Sequence, residues 1–171
     1  LEKFPFFAEA PYSMGLVKYY EGDFEEALKH FYQALAINSF HEKSMQNISN
    51  IAKKKYNLAS QAYKNRDFDG ALDTYEEVLK IDKTFYRAHY QIGRIKSIMG
   101  DESAAIEYYR SAIEILPTFY KGYYSMGQSQ AAIGDIAGAL ISLEKAIEIN
   151  PGYDKAYGII ADIYIAEENY E

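Results

Sequence analysis

Residues 134–158 read GDIAGALISLEKAIEINPGYDKAYG, and nearly every feature of this stretch recurs 34 residues earlier. Gly134, Asp135, Ala139, Ala146 and Pro151 return as Gly100, Asp101, Ala105, Ala112 and Pro117. A period of roughly 20 to 50 residues marks a chain built by stacking one supersecondary unit, not by wrapping around a single centre. Each unit is two apolar-periodic runs broken by Gly-Asp. Glycine supplies the left-handed residue that ends one helix, and the aspartate carboxylate caps the next. The unit is therefore a helix, a tight turn and a second helix.

Working outward, residues 52–85, 86–119 and 120–153 are three repeats in unbroken 34-residue register, with turns at Arg66-Asp67, Gly100-Asp101 and Gly134-Asp135. Arg66 stands where the others have glycine, so it is expected to adopt a left-handed conformation at a cost of about 1 kcal/mol. Residues 8–41 form an earlier repeat whose turn is Gly22-Asp23. Glu26, three residues after Asp23, completes a capping-box pattern, and Pro11 falls in the first helical turn, where a missing N–H costs little.

The start of the chain, LEKFPFFAEAPYSMG, aligns without gaps on residues 113–127, IEILPTFYKGYYSMG. Residues 1–7 are read as the end of a preceding repeat, with Phe4 and Phe6 as remnants of its packing surface. Residues 154–171 are read as the start of a further, truncated repeat that stops in the turn Asn169-Tyr170-Glu171. Between the first two whole repeats, residues 42–51 are a ten-residue insertion. Met45, Ile48, Ala52, Tyr56, Ala59 and Tyr63 keep helical spacing across it, which predicts a helix lengthened by about 15 Å. Such an extension either covers the first repeat or projects as a binding surface.

Composition narrows the chemistry. The formal net charge of −7 argues against duplex DNA or RNA as the partner, because phosphate binding needs a positive field. The chain has no cysteine, so it forms neither disulfides nor thiolate metal sites. No apolar run approaches the roughly 20 residues of a spanning helix, and no targeting segment is legible, which leaves the compartment unassigned. His30, His41 and His89 have no His pair at metal-ligand spacing, and no nucleophile–base constellation or phosphate loop is present. The acidic pairs Glu25-Glu26, Glu76-Glu77 and Glu167-Glu168 are adjacent on helices and read as solvated faces. The sequence therefore predicts a non-enzymatic chain without cofactor or metal.

These residues resemble the tetratricopeptide repeat, a 34-residue helix-turn-helix unit. The small position of the first helix is filled by Gly15, Ala59, Gly93, Gly127 and Ala161. In the second helix the family's pattern is met by Ala27, Ala71, Ala105 and Ala139, then Phe31, Tyr75, Tyr109 and Leu143, then Ala34, Val78, Ala112 and Ala146. Departures fall early: the aromatic expected near each start is Pro11, Lys55, His89, Tyr123 and Tyr157, and the closing proline is Ser39 and Lys83 in the first two repeats. The resemblance implies an all-α, right-handed superhelical solenoid of antiparallel helix pairs, with the first helices lining its concave face. Some relatives clamp a C-terminal carboxylate with Lys and Asn. Asn57 and Arg87 fit that pattern, but Tyr56 and Ser60 replace the expected Lys and Asn.

Charge is divided between the two kinds of helix. First-helix stretches 52–66, 86–100 and 120–134 hold nine cations and no acid, whereas second-helix stretches 67–82, 101–116 and 135–150 hold thirteen acids against three cations. Two columns repeat along the first helices: Lys53, Arg87, Lys121 and Lys155 in the second position, and Tyr12, Tyr56, Tyr90 and Tyr124 in the fifth. Cations hold carboxylates, and tyrosine offers a rigid apolar face with a hydroxyl. The expected site is a peptide-binding groove of Lys53, Tyr56, Arg87, Tyr90, Arg94, Lys121, Tyr124 and Lys155, and the expected partner is another protein presenting an extended acidic or amphipathic segment. The competing account pairs these cations with acids of neighbouring helices. Three further readings are single-stranded nucleic acid stacked on the tyrosines, self-association through the repeat ends, and a regulatory segment of a larger enzyme.

Overall fold

The structure, a computed structural model, describes residues 5–168. Phe4, the Phe6 side chain and the turn 169–171 lie outside the described residues. After a 3-10 turn at Pro5–Ala8 come α1 (Glu9–Glu21), α2 (Phe24–Ile37), α3 (Glu42–Lys64), α4 (Phe68–Ile81), α5 (Tyr86–Ile98), α6 (Glu102–Ile115), α7 (Tyr120–Ala132), α8 (Ile136–Ile149) and α9 (Asp154–Glu168). No strand occurs among the described residues. Each helix packs on its chain neighbours, and helices far apart in sequence scarcely meet. This all-α solenoid is held by local contacts, as the repeat period requires.

The turns account for the helix boundaries. Asp23, Asp67, Asp101 and Asp135 each accept a hydrogen bond through Oδ1 from the backbone N–H three residues on, at 3.0 to 3.2 Å. Gly22, Gly100 and Gly134 sit at φ of 83° to 84° and end the first helices, while Arg66 holds the same position at φ 64°. The capping box at Asp23 is only half made: the Glu26 side chain turns away to Lys29 at 3.0 Å, because a lysine one helical step along offers a charged donor. In α3 the cap is a histidine. His41 Nδ1 accepts from the Ser44 N–H at 3.3 Å and from its hydroxyl at 2.8 Å, and the ring is buried.

Inside each pair, one small residue faces one ring or branched side chain. A Cβ added at Gly15 would lie 2.6 Å from Phe31, one at Gly93 2.7 Å from Tyr109, and one at Gly127 2.8 Å from Leu143. Phe31, Tyr75 and Leu143 are fully buried and Tyr109 nearly so, and the alanines one turn before them, at 27, 71, 105 and 139, are fully buried too. Burying each large side chain contributes about 1.5 to 3 kcal/mol, and the contact is lost if the helices are forced apart.

α3 is ten residues longer than α5 or α7. Its first half packs on α2, with Ile48 and Ile51 joining Ala27 and Phe31, and its second half packs on α4, with Ala52 and Ala59 joining Ala71, Tyr75 and Val78. Met45 breaks the inward stripe and is 43% exposed, and Ser44 takes the buried place beside His41. The segment 42–51 thus covers the first repeat, and it is pinned there by His41 Nε2 at 3.4 Å and Lys43 Nζ at 3.3 Å from Glu9. Together these two groups draw the Glu9 carboxyl below its usual range, the lysine hydrogen bond first.

Two substitutions test this account by urea denaturation. Gly93→Ala should destabilise by about 1 to 3 kcal/mol, because the methyl meets both the Tyr109 ring and the Ala105 carbonyl. Arg66→Gly should stabilise by about 0.5 to 1 kcal/mol by relieving the left-handed arginine; no gain would mean that Arg66 carries no strain.

Candidate protein-interaction groove

The eight predicted residues lie on four first helices: Lys53 and Tyr56 on α3, Arg87, Tyr90 and Arg94 on α5, Lys121 and Tyr124 on α7, and Lys155 on α9. Spacings of three, four and seven put those of each helix on one face. Lys53, Arg87, Lys121 and Lys155 are all exposed. Among the described residues none of these four is within 4.0 Å of a carboxylate, whereas Lys18, Lys29, Lys43, Lys55, Arg110 and Lys145 all are. The competing account of paired cations therefore applies to Lys55, whose Nζ is 2.6 Å from Glu77 on α4, and not to the column beside it. Glu77 is correspondingly part of an ion pair, not of a free solvated face.

Two of the four rest on rings instead. The Arg87 guanidinium is 5.6 Å from the centre of Tyr86 and donates through Nε to its hydroxyl at 3.0 Å, a bond that raises the arginine further above its usual range. Lys121 Nζ is 5.9 Å from the Tyr120 ring. Arg94 is more enclosed. It sits 4.9 Å from Tyr63 and 5.9 Å from Tyr90, and donates to Gln91 at 3.0 Å.

The tyrosine column is half-buried, and each ring is wedged inward. Tyr56 stacks on Phe85 at 5.2 Å, Tyr90 meets Phe119 edge-on at 4.9 Å, and Tyr124 meets Tyr153 edge-on at 5.0 Å. Tyr86 and Tyr120 also meet Phe119 and Tyr153 edge-on, at 5.1 and 5.0 Å. These partners form an aromatic layer that the sequence reading missed, although its signal was present: an aromatic, Phe85, Phe119 or Tyr153, immediately precedes each of α5, α7 and α9. Burial first, and then the neighbouring Tyr90, push Tyr124 above its usual range. The Tyr90 hydroxyl reaches the Ser125 hydroxyl at 3.4 Å, which makes the α5 and α7 surfaces continuous. On α9 the fifth place is Gly158, so the tyrosine column stops at α7.

Other features lie elsewhere. A cavity of about 650 Å³ between α7 and α8 is lined by Tyr123, Met126, Ile141, Glu144, Lys145 and Glu148, none of them a predicted groove residue. His89 Nε2 bonds the Lys83 carbonyl at 3.0 Å and its ring lies against Tyr108, which makes it part of the packing. No group of three acids or histidines among the described residues could hold a metal ion. Nor is any helix among the described residues long and apolar enough to cross a membrane.

Antiparallel helix pairs stacked at a fixed period, with a continuous polar and aromatic face on the first helices, define a helical-repeat solenoid. Which repeat it is follows from comparison with known proteins: the tetratricopeptide repeat model matches residues 86–119 and 120–153, so this stretch is a tandem pair of tetratricopeptide repeats. A crystal structure of MamA shares the fold at a TM-score of 0.66 and 22% identity, over 90% of this chain and 84% of that one. The Yersinia enterocolitica type III secretion translocator chaperone SycD gives 0.67 and 17%, over 70% and 88%. The first TPR of Spaghetti (RPAP3), bound to the HSP90 peptide SRMEEVD, gives 0.66 and 17%, over 68% and 93%. The search of curated proteins finds no significant match.

The pairing pattern makes a sharp prediction about stability. Arg87→Glu with Lys121→Glu should leave the unfolding free energy within about 0.5 kcal/mol, whereas Lys55→Gln should lower it by up to about 1 kcal/mol by unpairing Glu77. A large loss in the double variant would show that those cations are structural.

Proposed function

We propose that the protein is a non-enzymatic interaction scaffold whose first-helix face binds an extended acidic segment of another protein. One observation carries the reading: Lys53, Arg87, Lys121 and Lys155 form a column of exposed cations with no carboxylate partner among the described residues, and the first three lie in stretches 52–66, 86–100 and 120–134 that contain no acid, in a chain of net charge −7. Lys53, Arg87, Lys121 and Lys155 supply charge, and Tyr56, Tyr90 and Tyr124 supply half-buried rings against which apolar side chains can lie. The rings are already locked by Phe85, Phe119 and Tyr153, so they lose little freedom when a partner binds. Arg94, held by Tyr63, Tyr90 and Gln91, is positioned to bond a carboxylate without reorganising. The peptide-bound neighbour of the same fold, with its acidic SRMEEVD ligand, supports a peptide as the kind of partner.

Exposed charge pairs are individually weak and are screened beyond about 10 Å at 0.1 M salt, so affinity should come from several cations acting together and should fall with ionic strength. The test is fluorescence anisotropy with a labelled acidic peptide at increasing salt, for the wild type and for Arg87→Glu with Lys121→Glu. The double variant should weaken binding by at least about tenfold, roughly 1.4 kcal/mol for the two sites together, and should flatten the salt dependence. Equal binding by both proteins would move the site off this face.

A further inference from the structure

The lengthened helix α3 leaves one position open that is closed in the repeat that follows. Leu58 and Ile92 are equivalent at the 34-residue period, yet Leu58 is 60% exposed and Ile92 is 0% exposed. Lys54 is exposed where its equivalent, Ala88, is 0% exposed. The cause is the extension. Ala88, Ile92 and Ile95 of α5 press on α4, but the corresponding face of α3 has no second helix along its length, because α2 packs mainly on 42–51. Of α2, Phe24 at its start borders Lys54, Asn57 and Leu58. The result is a notch of about 310 Å³ lined by Phe24, Lys54, Asn57 and Leu58.

Its chemistry is two-sided. Leu58 and Phe24 make an apolar floor, and the Lys54 ammonium stands at the rim, 4.3 Å from the Tyr19 ring and 5.4 Å from the Phe24 ring. Among the described residues no carboxylate lies within 4.0 Å of Lys54, while Lys55 beside it is taken by Glu77. Asn57 shares a face of α3 with Lys53, four residues before it, so the notch borders the cation column. We propose that this notch is a side-chain socket: it takes one large apolar residue flanked by carboxylates, and so sets the register of an acidic segment lying along the first helices. The proposal rests on the groove reading for the class of partner, but its location follows from the exposure of Leu58 alone. The volume is at the small end of ligand pockets and suits a single branched or aromatic side chain.

The experiment uses two labelled heptapeptides, one of glutamate only and one with leucine at its centre, titrated against wild type, Leu58→Gln, and Arg87→Glu with Lys121→Glu. Leu58 is largely solvent-facing, so Leu58→Gln should melt at the wild-type temperature. The leucine peptide should bind wild type at least about tenfold tighter than the glutamate peptide, and Leu58→Gln should abolish that advantage while changing glutamate-peptide affinity by less than about twofold. No leucine advantage, or one that survives Leu58→Gln, overturns the socket; if the charge-reversal variant still weakens both peptides, the groove stands without it. A leucine advantage that is lost in Leu58→Gln, with both peptides indifferent to charge reversal, sustains the socket and overturns the groove. If neither peptide binds wild type, both proposals fall.

Discussion

The fold depends on how closely two helices of a pair can approach. Gly15 against Phe31, Gly93 against Tyr109 and Gly127 against Leu143 leave no room for a Cβ, and Ala59 against Tyr75 is the same contact with one methyl added. The large side chain fills the space that the small residue vacates, and neither works without the other. Because this contact is made within each helix pair, no distant segment needs to be brought in to form it. Stacking then adds a second set of contacts between pairs, and the solenoid follows.

That economy frees the first-helix face for other purposes. In the three repeats of strict register, stretches 67–82, 101–116 and 135–150 carry the acids and stretches 52–66, 86–100 and 120–134 only cations, so a simple expectation would be neutralisation between them. It occurs at Lys55 and Glu77, where the two side chains face each other across α3 and α4. It does not occur at Lys53, Arg87, Lys121 and Lys155, which point from the opposite side of their helices. Rotation about the helix axis therefore separates a structural lysine from a free one only two residues away. The tyrosines beside them serve the packing and the surface together, being locked by the aromatic layer on one side and open on the other.

The ten-residue extension of α3 is the one departure from the strict period, and it changes more than length. Ten residues at 1.5 Å each carry the helix about 15 Å further, so its two halves serve different neighbours. The first repeat gains a cover anchored by His41, Lys43 and Glu9. The second loses the contact that would have buried Leu58.

Much of this was determined by the sequence itself. The 34-residue recurrence, the Gly-Asp turns, the left-handed Arg66 and the matching of small with large residues all arise from interactions within one unit, so a local pattern is enough to specify them. The helical spacing across residues 42–51 was legible for the same reason. What only the tertiary structure decided are relations between units: which cations meet an acid, which rings close on Phe119 and Tyr153, that His41 caps α3 while reaching Glu9, and that Leu58 stays open. Each of these depends on the rotation and offset of one helix against another, set by packing across a repeat boundary, where side chains dozens of residues apart meet at distances that no single period encodes.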